Sequence, residues 1–430
     1  MAQASFRLNN GCAAYEKNTV FVTGVGMVGP CGNSAGAFWE GLLSGRNYMT
    51  PLQLEGTTGA APPFAGQVSG MEPERVISKR LLKKCSRFSV MSILAAKDAM
   101  DDAHWELDQM SRERIGIFVG NNSGGWESAR NGLRVLHTEG APFIDPNLAS
   151  NWFPAAAQGH MSLAFGIKGY SKTVIADRSS GLLAIAYAAR AIRSGIIDAA
   201  IVGGAETPLD PWALSFYNTE GLLNLSADRP QTAYRPFVEG RSGLALAEGA
   251  AFLCLESERS IQKREASRRV RASIQGFGFT NDGQAAAPPE ESVAQCARAI
   301  RLAIGHSETQ PEQIGYLSLD GAASAREDGI ECSAIQEVFS SSAEAKWAGC
   351  PKTVFGNTIG AAGAFDVALG VLAMNHGELP GLPYLAESVQ DNGLNFVPGI
   401  SRRIAVESSL ILSRGRGGVS SALVVNAEGL

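Results

Sequence analysis

The sequence lacks the residue clusters that bind metals or form disulfide scaffolds. Its seven cysteines are scattered along the chain without a CxxC pair, and its five histidines include no HExxH motif. An odd number of widely spaced cysteines in a chain of 430 residues is typical neither of a disulfide-rich secreted domain nor of a zinc site. We therefore expect no metal, no other cofactor and a reducing compartment.

An excess of basic residues and long apolar runs are also missing. The 37 Lys and Arg residues are outnumbered by 42 Asp and Glu residues, which gives a net charge of −5. This charge excludes the basic surface that favours nucleic acid or an anionic membrane as a partner. Residues 1–18 have no apolar core typical of a signal peptide, and no window approaches a full membrane span of uninterrupted apolar residues. We expect a cytoplasmic protein without a membrane-spanning helix.

Charged side chains are scarce, whereas glycine is abundant. Charged residues make up 18% of the chain, compared with about 25% in an average domain. This deficit favours a permanent subunit interface or a large core, and a large monomer with little surface per residue is the alternative. The 49 glycines show no collagen-like period, so they indicate many tight turns between strands and helices.

Short β-branched segments alternate with Ala-rich segments along the whole chain. The predicted strands are residues 19–27, 114–119, 173–176, 199–202, 250–255, 270–277, 316–319, 353–355, 403–412 and 422–426. The predicted helices are residues 34–43, 84–103, 179–194, 291–304, 328–338 and 358–374. Strands separated by helices indicate βαβ units and a largely parallel, buried sheet, which is an α/β fold.

An internal duplication divides this pattern. The segments KTVIADRSSGLLAIAYAARAI (172–192) and KTVFGNTIGAAGAFDVALGVL (352–372) each combine a short strand, a polar turn and a helix rich in Ala and Gly. They predict two α/β halves that share one core. Ligands bind beyond the carboxyl ends of the strands in such sheets, so the turns 176–181, 319–323 and 355–360 are the candidate site.

The first of these turns carries a cation where a nucleophile would be favoured. The positive N-terminal end of a buried helix lowers the pKa of a thiol and suits a nucleophile. Here Asp177 and Arg178 occupy the turn in place of Cys or Ser. A cation at this end of a helix is unfavourable by roughly 0.3–1 kcal/mol, so Arg178 requires a partner carboxylate.

Three longer segments resemble one known family. VFVTGVGMVGPCGNSAGAFWEGLLSG (20–45) resembles the opening of β-ketoacyl synthases, AYRPFVEGRSGLALAEGAAFLCLE (233–256) their middle signature, and KTVFGNTIGAAGAFDVALGVLAM (352–374) their Lys-to-His turn and helix. The resemblance runs from about residue 19 to residue 426 and implies the thiolase-like fold, a five-layer αβαβα sandwich of two duplicated halves. The corresponding division is an extension at 1–18, an N-terminal half at 19–258 and a C-terminal half at 259–430.

The catalytic positions of that family are all replaced. Active ketosynthases carry a Cys nucleophile in the first turn and a His in each of the other two, whereas Arg178, Asp320 and Asn357 stand there in this chain. The Lys that accompanies the second His remains as Lys352, and Arg416 takes the place of a gating Phe. Without a thiolate there is no acyl-enzyme, so the resemblance implies that this chain has no catalytic residues.

The combination resembles a chain length factor, the ketosynthase-β subunit of type II polyketide synthases. Such a subunit pairs with an active ketosynthase-α, here expected near residues 169–177, and an acyl carrier protein carries the growing polyketide. The resemblance places tunnel-gating positions at Trp126, Ala129 and Leu133, which lie on one helix face because of their i, i+3, i+7 spacing. The family's usual residue at Arg178 is Gln, which puts a role of that Gln in malonyl decarboxylation in doubt here.

Several alternatives remain open at the level of sequence. The protein could instead be a homodimeric malonyl decarboxylase or acyltransferase that uses Asp320 or Ser179, or a binding scaffold without catalysis. The tunnel stripe is compatible with simple core packing, and Asn357 with an inherited helix cap. The basic run 263–271 either meets an acidic carrier protein or forms a solvated helix face.

A charged network is expected in the former active site. The predicted members are Arg178, Asp320, Lys352 and Arg416. We expect an ion pair between Arg178 and Asp320, and the competing partners of Arg178 are Asp177 and a group across the dimer. Arg414 and Arg416 either complete this network or are surface cations. Because desolvation offsets the attraction in buried ion pairs, pocket filling or specificity is the expected role. The product class implied by the resemblance is an aromatic polyketide, with a reduced polyene as the alternative.

Overall fold

The computed structural model describes residues 19–53, 63–264, 270–284, 287–385 and 393–428. The strands are β1 (Val20–Val28), β2 (Met49–Pro51), β3 (Phe64–Gly66), β4 (Ile115–Gly120), β5 (Lys172–Val174), β6 (Ala199–Glu206), β7 (Gly249–Ser257), β8 (Ala272–Asn281), β9 (Tyr316–Ser318), β10 (Trp347–Gly349), β11 (Glu378–Pro380), β12 (Asn395–Phe396), β13 (Ser401–Arg403), β14 (Ser408–Gly415) and β15 (Val419–Ala427). The helices are α1 (Ala35–Leu42), α2 (Lys79–Leu82), α3 (Arg87–Asp102), α4 (Trp126–Thr138), α5 (Leu148–Trp152), α6 (Ala156–Phe165), α7 (Ser180–Arg193), α8 (Pro211–Thr219), α9 (Pro230–Ala233), α10 (Glu258–Lys263), α11 (Pro289–Gly305), α12 (Ala325–Phe339) and α13 (Ala362–His376).

Eleven of these strands form one sheet whose two halves repeat the same order. From the central pair of β1 and β8, the strands β7, β6, β4 and β5 follow on one side, and β15, β14, β9 and β10 follow on the other. In each half the inner strands are antiparallel and the outer strands are parallel. The expected duplication of an α/β unit is therefore confirmed, whereas the boundary at residues 258 and 259 stays a prediction.

The prediction of a largely parallel sheet is wrong in the centre of the molecule. β14 and β15 are joined by a tight turn in which Gly417 and Gly418 adopt φ values of 77° and 79°, so the chain reverses into an antiparallel hairpin. β1 also pairs antiparallel with both β7 and β8. Only the outer strands, which are connected through helices, have the parallel arrangement that βαβ units require.

The helices form three layers around the two halves of the sheet. α7 contacts β4 and β6, α13 contacts β14 and β7, and the two helices contact each other in the middle layer. α3 covers β1 and β7, whereas α11 covers β8 and β15. The approach of these outer helices is equally close in both halves. A Cβ atom on Gly26 would lie 2.0 Å from the carbonyl oxygen of Ala95, and one on Gly278 would lie 2.0 Å from that of Ala299.

The middle layer explains the most apolar segment of the chain. The segment Ile359–His376 is long and apolar enough to span a membrane, yet 89% of it is buried inside the protein. α13 is therefore a core helix that packs between the two halves. Its contact with α7 requires small residues, because a Cβ atom on Gly181 would lie 2.6 Å from the backbone nitrogen of Ala364.

Two predicted strands differ from the structure. Residues 353–355 do not form a strand, because a 3₁₀ helix (Pro351–Val354) begins at a proline, which cannot donate to a sheet. The strand of this repeat lies earlier, at β10. The predicted strand 403–412 is divided into β13, which pairs with β11 in a separate two-stranded sheet, and β14 in the main sheet.

Candidate functional site

The three candidate turns each hold a strained backbone position. Asp177, Ala323 and Ile359 have φ values of 52°, 52° and 46°, in the left-handed region that non-glycine residues rarely adopt. Each such residue costs about 1–3 kcal/mol and persists only where its surroundings fix it. The side chains near these turns are therefore held in defined positions.

Arg178 and Asp320 form the expected ion pair in the interior. Nε of Arg178 lies 3.1 Å from Oδ2 and 3.3 Å from Oδ1 of Asp320, and one terminal nitrogen lies 3.6 Å from Oδ2 of Asp177. The Arg178 side chain is only 3% exposed. Burial alone would lower the pKa of this guanidinium, but the carboxylates of Asp320 and Asp177 outweigh it and raise the pKa above its usual range. Arg178 is thus a permanent buried cation, shared between two carboxylates.

Arg416 joins the network through Asp177. Its backbone N–H donates to Oδ2 of Asp177 at 2.9 Å, and its Nε donates to Oδ1 at 3.4 Å. The guanidinium also lies over two rings of α8, 4.5 Å from the centre of Phe216 and 5.2 Å from that of Tyr217. The order of contacts is Arg416, Asp177, Arg178 and Asp320. Asp177, the competing partner of Arg178 in the sequence analysis, therefore connects Arg178 with Arg416.

Lys352 pairs with a carboxylate behind the network rather than with Asp320. Its Nζ donates to Oδ2 of Asp366 at 2.5 Å and to the carbonyl oxygen of Leu319 at 2.9 Å. Burial opposes the charged form of Lys352, but Asp366 raises its pKa above the usual range. Sequence reasoning missed Asp366, although a carboxylate inside an otherwise apolar helix was a usable signal.

Arg414 has separate partners at the mouth of the site. Its guanidinium donates to Oδ2 of Asp282 at 2.6 Å and to Oε2 of Glu327 at 2.8 Å. The side chain is only 6% exposed. Arg414 is therefore neither a surface cation nor a direct contact of Arg178, and it braces the hairpin turn that carries Arg416.

A buried carboxyl supports the turn of Asp320 from behind. Glu331 accepts hydrogen bonds from the backbone N–H groups of Asp320 at 2.7 Å and Gly321 at 3.1 Å. Burial and the neighbouring charge of Asp320 raise the pKa of Glu331 to about 8. Sequence reasoning did not single out Glu331, because a glutamate within a helix is usually solvated.

The third turn is neutral. Asn357 is fully buried, and its Oδ1 accepts a hydrogen bond from the backbone N–H of Ile359 at 2.8 Å. Its Nδ2 donates to the hydroxyl of Tyr234 at 3.1 Å, and that hydroxyl donates to the carbonyl oxygen of Gly321 at 2.6 Å. Asn357 thus closes a local turn two residues long before α13, whereas the capping position of α13 itself is Ala361.

Ser179 has none of the partners that activate a nucleophile. Its hydroxyl donates toward the carbonyl oxygens of Ser413 at 3.3 Å and Val419 at 3.4 Å, and accepts from the hydroxyl of Ser421 at 3.0 Å. No imidazole or carboxylate is among these partners within the described residues. A serine hydroxyl without a general base is a weak nucleophile.

A cleft leads from the surface to the charged network. Its volume is about 570 Å³, and it is bordered by Arg178, Arg326, Arg414, Arg416, Asp282 and Glu327. A group that entered this cleft would therefore meet a guanidinium at its end. In the part of the chain that the structure describes, no group of three or more His, Cys, Asp or Glu side chains could hold a metal ion.

The predicted tunnel residues lie together on α4. Trp126 and Ala129 are half-buried, whereas Leu133 is 43% exposed. The Trp126 ring stands edge-to-face against Phe216, with 6.0 Å between the ring centres. Simple core packing does not account for Leu133, because an apolar side chain in a core would be covered.

The predicted interface segment contains an open sheet edge. β5 is the last strand on its side of the eleven-stranded sheet. Tyr170, Ile175 and Leu163 nearby in sequence are 48%, 56% and 71% exposed. Residues 265–269 of the basic run 263–271 lie outside the described part of the chain, and its described arginines Arg264 and Arg271 pair with Glu256 and Asp102 of this chain.

Comparison with protein-family models matches two consecutive domains of one family to residues 17–385, with a gap at 261–270. Residues 17–260 match the β-ketoacyl synthase N-terminal domain. Residues 271–385 match the β-ketoacyl synthase C-terminal domain.

Named relatives and solved structures extend this similarity. The chain is 34% identical over 408 residues, 94% of each chain, to a putative polyketide beta-ketoacyl synthase 2 of Streptomyces coelicolor. It is 30% identical to the tetracenomycin polyketide synthase ketoacyl synthase beta subunit of Streptomyces glaucescens, covering 95% of this chain and 98% of that one. The structure of the ishigamide ketosynthase/chain length factor matches with a TM-score of 0.87 and 27% identity, covering 96% of this chain and all of that chain. The thiolase-like fold expected from the sequence is confirmed.

Proposed function

This chain belongs to the β-ketoacyl synthase family, and we propose that it acts there as a chain length factor. It pairs with an active ketosynthase of a type II polyketide synthase and shapes the tunnel that sets polyketide length, without catalysing a step itself. The observation that carries this proposal is the buried ion pair between Arg178 and Asp320. By the resemblance of the sequence motifs, Arg178 stands at the position where an active ketosynthase carries its thiolate.

The chemistry near the ion pair supports a non-catalytic role. Cys350 lies beside the network, with its Sγ 3.9 Å from the carbonyl oxygen of Asp320. Burial raises the pKa of this thiol far above its usual range, so it stays protonated and unreactive at neutral pH. Ser179 has no base among its described partners, and Arg178 cannot form an acyl bond that would hold a growing chain.

The surface supports pairing with another subunit. The open edge of β5 and the exposed apolar side chains beside it offer a strand and an apolar patch to a partner. The half-exposed stripe of Trp126, Ala129 and Leu133 on α4 would then be covered and would line the tunnel. The polyketide, carried by an acyl carrier protein, would grow along this wall until its length is limited by the side chains. An aromatic polyketide is the proposed product class.

The first experiment measures the assembly. The chain is co-expressed with an intact ketosynthase, which we expect to be encoded beside it, with a tag on this chain only, and the native mass of the eluted complex is determined. We expect a one-to-one heterodimer close to twice 45.2 kDa. Ile175→Asp, which puts a charge next to the open edge, should abolish the heterodimer, whereas Ile400→Asp at another exposed isoleucine (45% exposed) should retain it. A stable homodimer that does not bind the ketosynthase would overturn the proposal in favour of an independent enzyme.

The second experiment tests catalysis. The complex is incubated with acylated carrier protein, and the mass of each subunit is measured. The ketosynthase should gain the acyl group, while this chain should keep its mass. Acylation of this chain would contradict the non-catalytic role. The Arg178→Cys variant sharpens the result, because acylation of that variant alone would show that the cleft still admits the acyl donor.

A further inference from the structure

The charged network does not end inside the former active site. Arg416 carries it to α8, where its guanidinium lies over the rings of two consecutive residues, Phe216 and Tyr217. A cation over an aromatic face is attracted by the ring quadrupole, whose face is partially negative, and the attraction grows when the pair is shielded from water. Arg416 is only 26% exposed, so part of its interaction with α8 is shielded.

α8, which carries these two rings, contacts the start of α4 at two points. The ring of Phe216 meets that of Trp126 edge-to-face, with an angle of 89° between the ring planes. The hydroxyl of Tyr217 accepts a hydrogen bond at 2.8 Å from Nδ2 of Asn122, in the loop that leads into α4. The backbone N–H of Asn122 is itself held by the buried carboxylate of Glu206 at 2.6 Å.

The orientation of Arg416 is fixed by Asp177, the residue before Arg178. Asp177 holds both the backbone and the side chain of Arg416, and it adopts a strained φ of 52° while doing so. Arg178 lies on the other side of Asp177 and is itself anchored on Asp320. The ion pair between Arg178 and Asp320 would by itself fill the former active site. The additional contacts between Asp177 and Arg416 therefore point to a further role.

We infer that Arg416 is a positioning residue that sets the place of the Trp126 ring. The charged network holds Arg416, Arg416 holds Phe216 and Tyr217 of α8, and these two hold Trp126 and the loop before α4. This inference rests on the proposed function, because it gives the charged network in the former active site a role in the control of chain length. It identifies Phe216 and Arg416 as residues that determine product length without lying on the predicted tunnel stripe.

The test compares product lengths from the complete complex with its ketosynthase and carrier protein. Arg416→Met and Phe216→Leu are measured beside Trp126→Ala, and Arg416→Lys tests rescue because it keeps a cation over the rings. The matched control is Arg402→Met, since Arg402 also lies over a ring, 4.4 Å from the centre of Trp347, but in the other half of the chain. We expect Arg416→Met and Phe216→Leu to change the ratio of wild-type to altered lengths by about threefold in the direction of Trp126→Ala. Arg416→Lys should recover part of this change, and Arg402→Met should cause none.

The outcomes separate this inference from the proposed function. If Trp126→Ala leaves product length unchanged, the tunnel function of α4 is wrong and the inference falls with it. If Trp126→Ala changes product length but Arg416→Met and Phe216→Leu do not, the inference alone is overturned. A change with Arg402→Met as large as that with Arg416→Met would also overturn it, because the effect would then be unspecific.

A second measurement needs neither product nor partner. Near-ultraviolet circular dichroism of the chain, minus that of its Trp126→Phe variant, isolates the signal of the Trp126 ring. The same subtraction is made in the Arg416→Met and Phe216→Leu backgrounds. Loss of most of the difference signal in both backgrounds, with an unchanged far-ultraviolet spectrum, is the expected result. An undiminished difference signal would show that Trp126 keeps its place without Arg416 and would overturn the inference.

Discussion

The two halves of the molecule share one topology but end their sheets differently. In the C-terminal half, β10 is covered by the additional strand β12, whose Phe396 packs against Phe237 at 5.2 Å between ring centres. In the N-terminal half, the equivalent strand β5 is the outermost strand of the sheet, and Ile175 beside it is 56% exposed. An uncovered sheet edge is a site for strand pairing. The exposed apolar side chain beside β5 therefore supports the proposal that the partner binds the N-terminal half.

The equivalent turns of the two halves differ in charge. Both contain a residue with a left-handed backbone, Asp177 in one half and Ile359 in the other. The first turn is held by buried charges around Arg178, whereas the second is held by the neutral hydrogen bonds of Asn357. Each half therefore satisfies its buried polar groups by different chemistry.

Removing one side chain from each set of contacts should show this difference as a difference in stability. It is the largest effect that we expect. Asp320→Ala leaves Arg178 buried without its main partner and should lower the free energy of unfolding by about 3–5 kcal/mol. Asn357→Ala removes neutral hydrogen bonds only and should cost about 1–2 kcal/mol. Both values are measured by denaturant unfolding at neutral pH. The Arg178→Met/Asp320→Leu double variant should recover most of the loss, and a double variant as unstable as Asp320→Ala would contradict the role of the unpaired charge.

The central helices offer a second comparison of intermediate size. Gly181 of α7 faces α13 so closely that a methyl group would collide with the Ala364 backbone, whereas a methyl group on Gly370 of α13 would meet its nearest neighbour at 3.8 Å. Gly181→Ala should destabilise the protein by about 1–3 kcal/mol. Gly370→Ala should be neutral or stabilising by up to about 1 kcal/mol, because alanine favours the helix. Equal midpoints of chemical unfolding for the two variants would refute the close packing of α7 and α13.

The last expected effect is a pH dependence behind the charged turn. The pKa of Glu331 is raised to about 8, so the folded protein binds a proton that the unfolded chain releases at lower pH. The resulting stability is complete below the unfolded pKa and is lost as the pH rises through about 8. Glu331→Gln removes this titration, so its stability relative to the wild type should rise by about 1.4 kcal/mol per pH unit, up to about 4 kcal/mol, between pH 5 and pH 8.

Thermal or chemical unfolding across this pH range provides the measurement. The control is Glu337→Gln, whose carboxylate is 44% exposed in a surface pair with Arg301. The control should follow the wild type at every pH. A Glu331→Gln profile parallel to the wild type would show that this carboxyl is already ionised when folded.

The sequence predicts much of the fold because its signals are local. Helices such as α7 and α13 follow from Ala and Gly content, and their boundaries differ from the predicted ones by a few residues. The strand predicted at 353–355 is wrong because Pro351 starts a helical turn there. The prediction used the β-branched residues of this segment and did not take the effect of the proline into account. The antiparallel centre was also missed, since the pairing of β1 with β8 joins residues far apart in the chain.

The residues of the site also fall into two groups, those that local sequence motifs identified and those that only the packing of distant segments brings in. The resemblance aligns Arg178, Asp320 and Asn357 with three turns, and the structure brings the first two into contact. The partners Asp366 and Glu331 come from helices whose approach depends on packing, so spacing along the chain did not indicate them. The tunnel and interface assignments remain predictions, because they depend on a second subunit.

The central pairing of β1 and β8 has a consequence for the order in which the chain folds. Val20 pairs with Ile274, so the first strand described in the chain acquires one of its neighbours only after the whole N-terminal half has been synthesised. Contacts between such distant segments close slowly, and an unpaired strand in the interval is prone to aggregation. A fragment that stops at residue 258 would keep β1 as a bare edge. The two halves are thus one folding unit on the ribosome, and neither is expected to behave as an independent module.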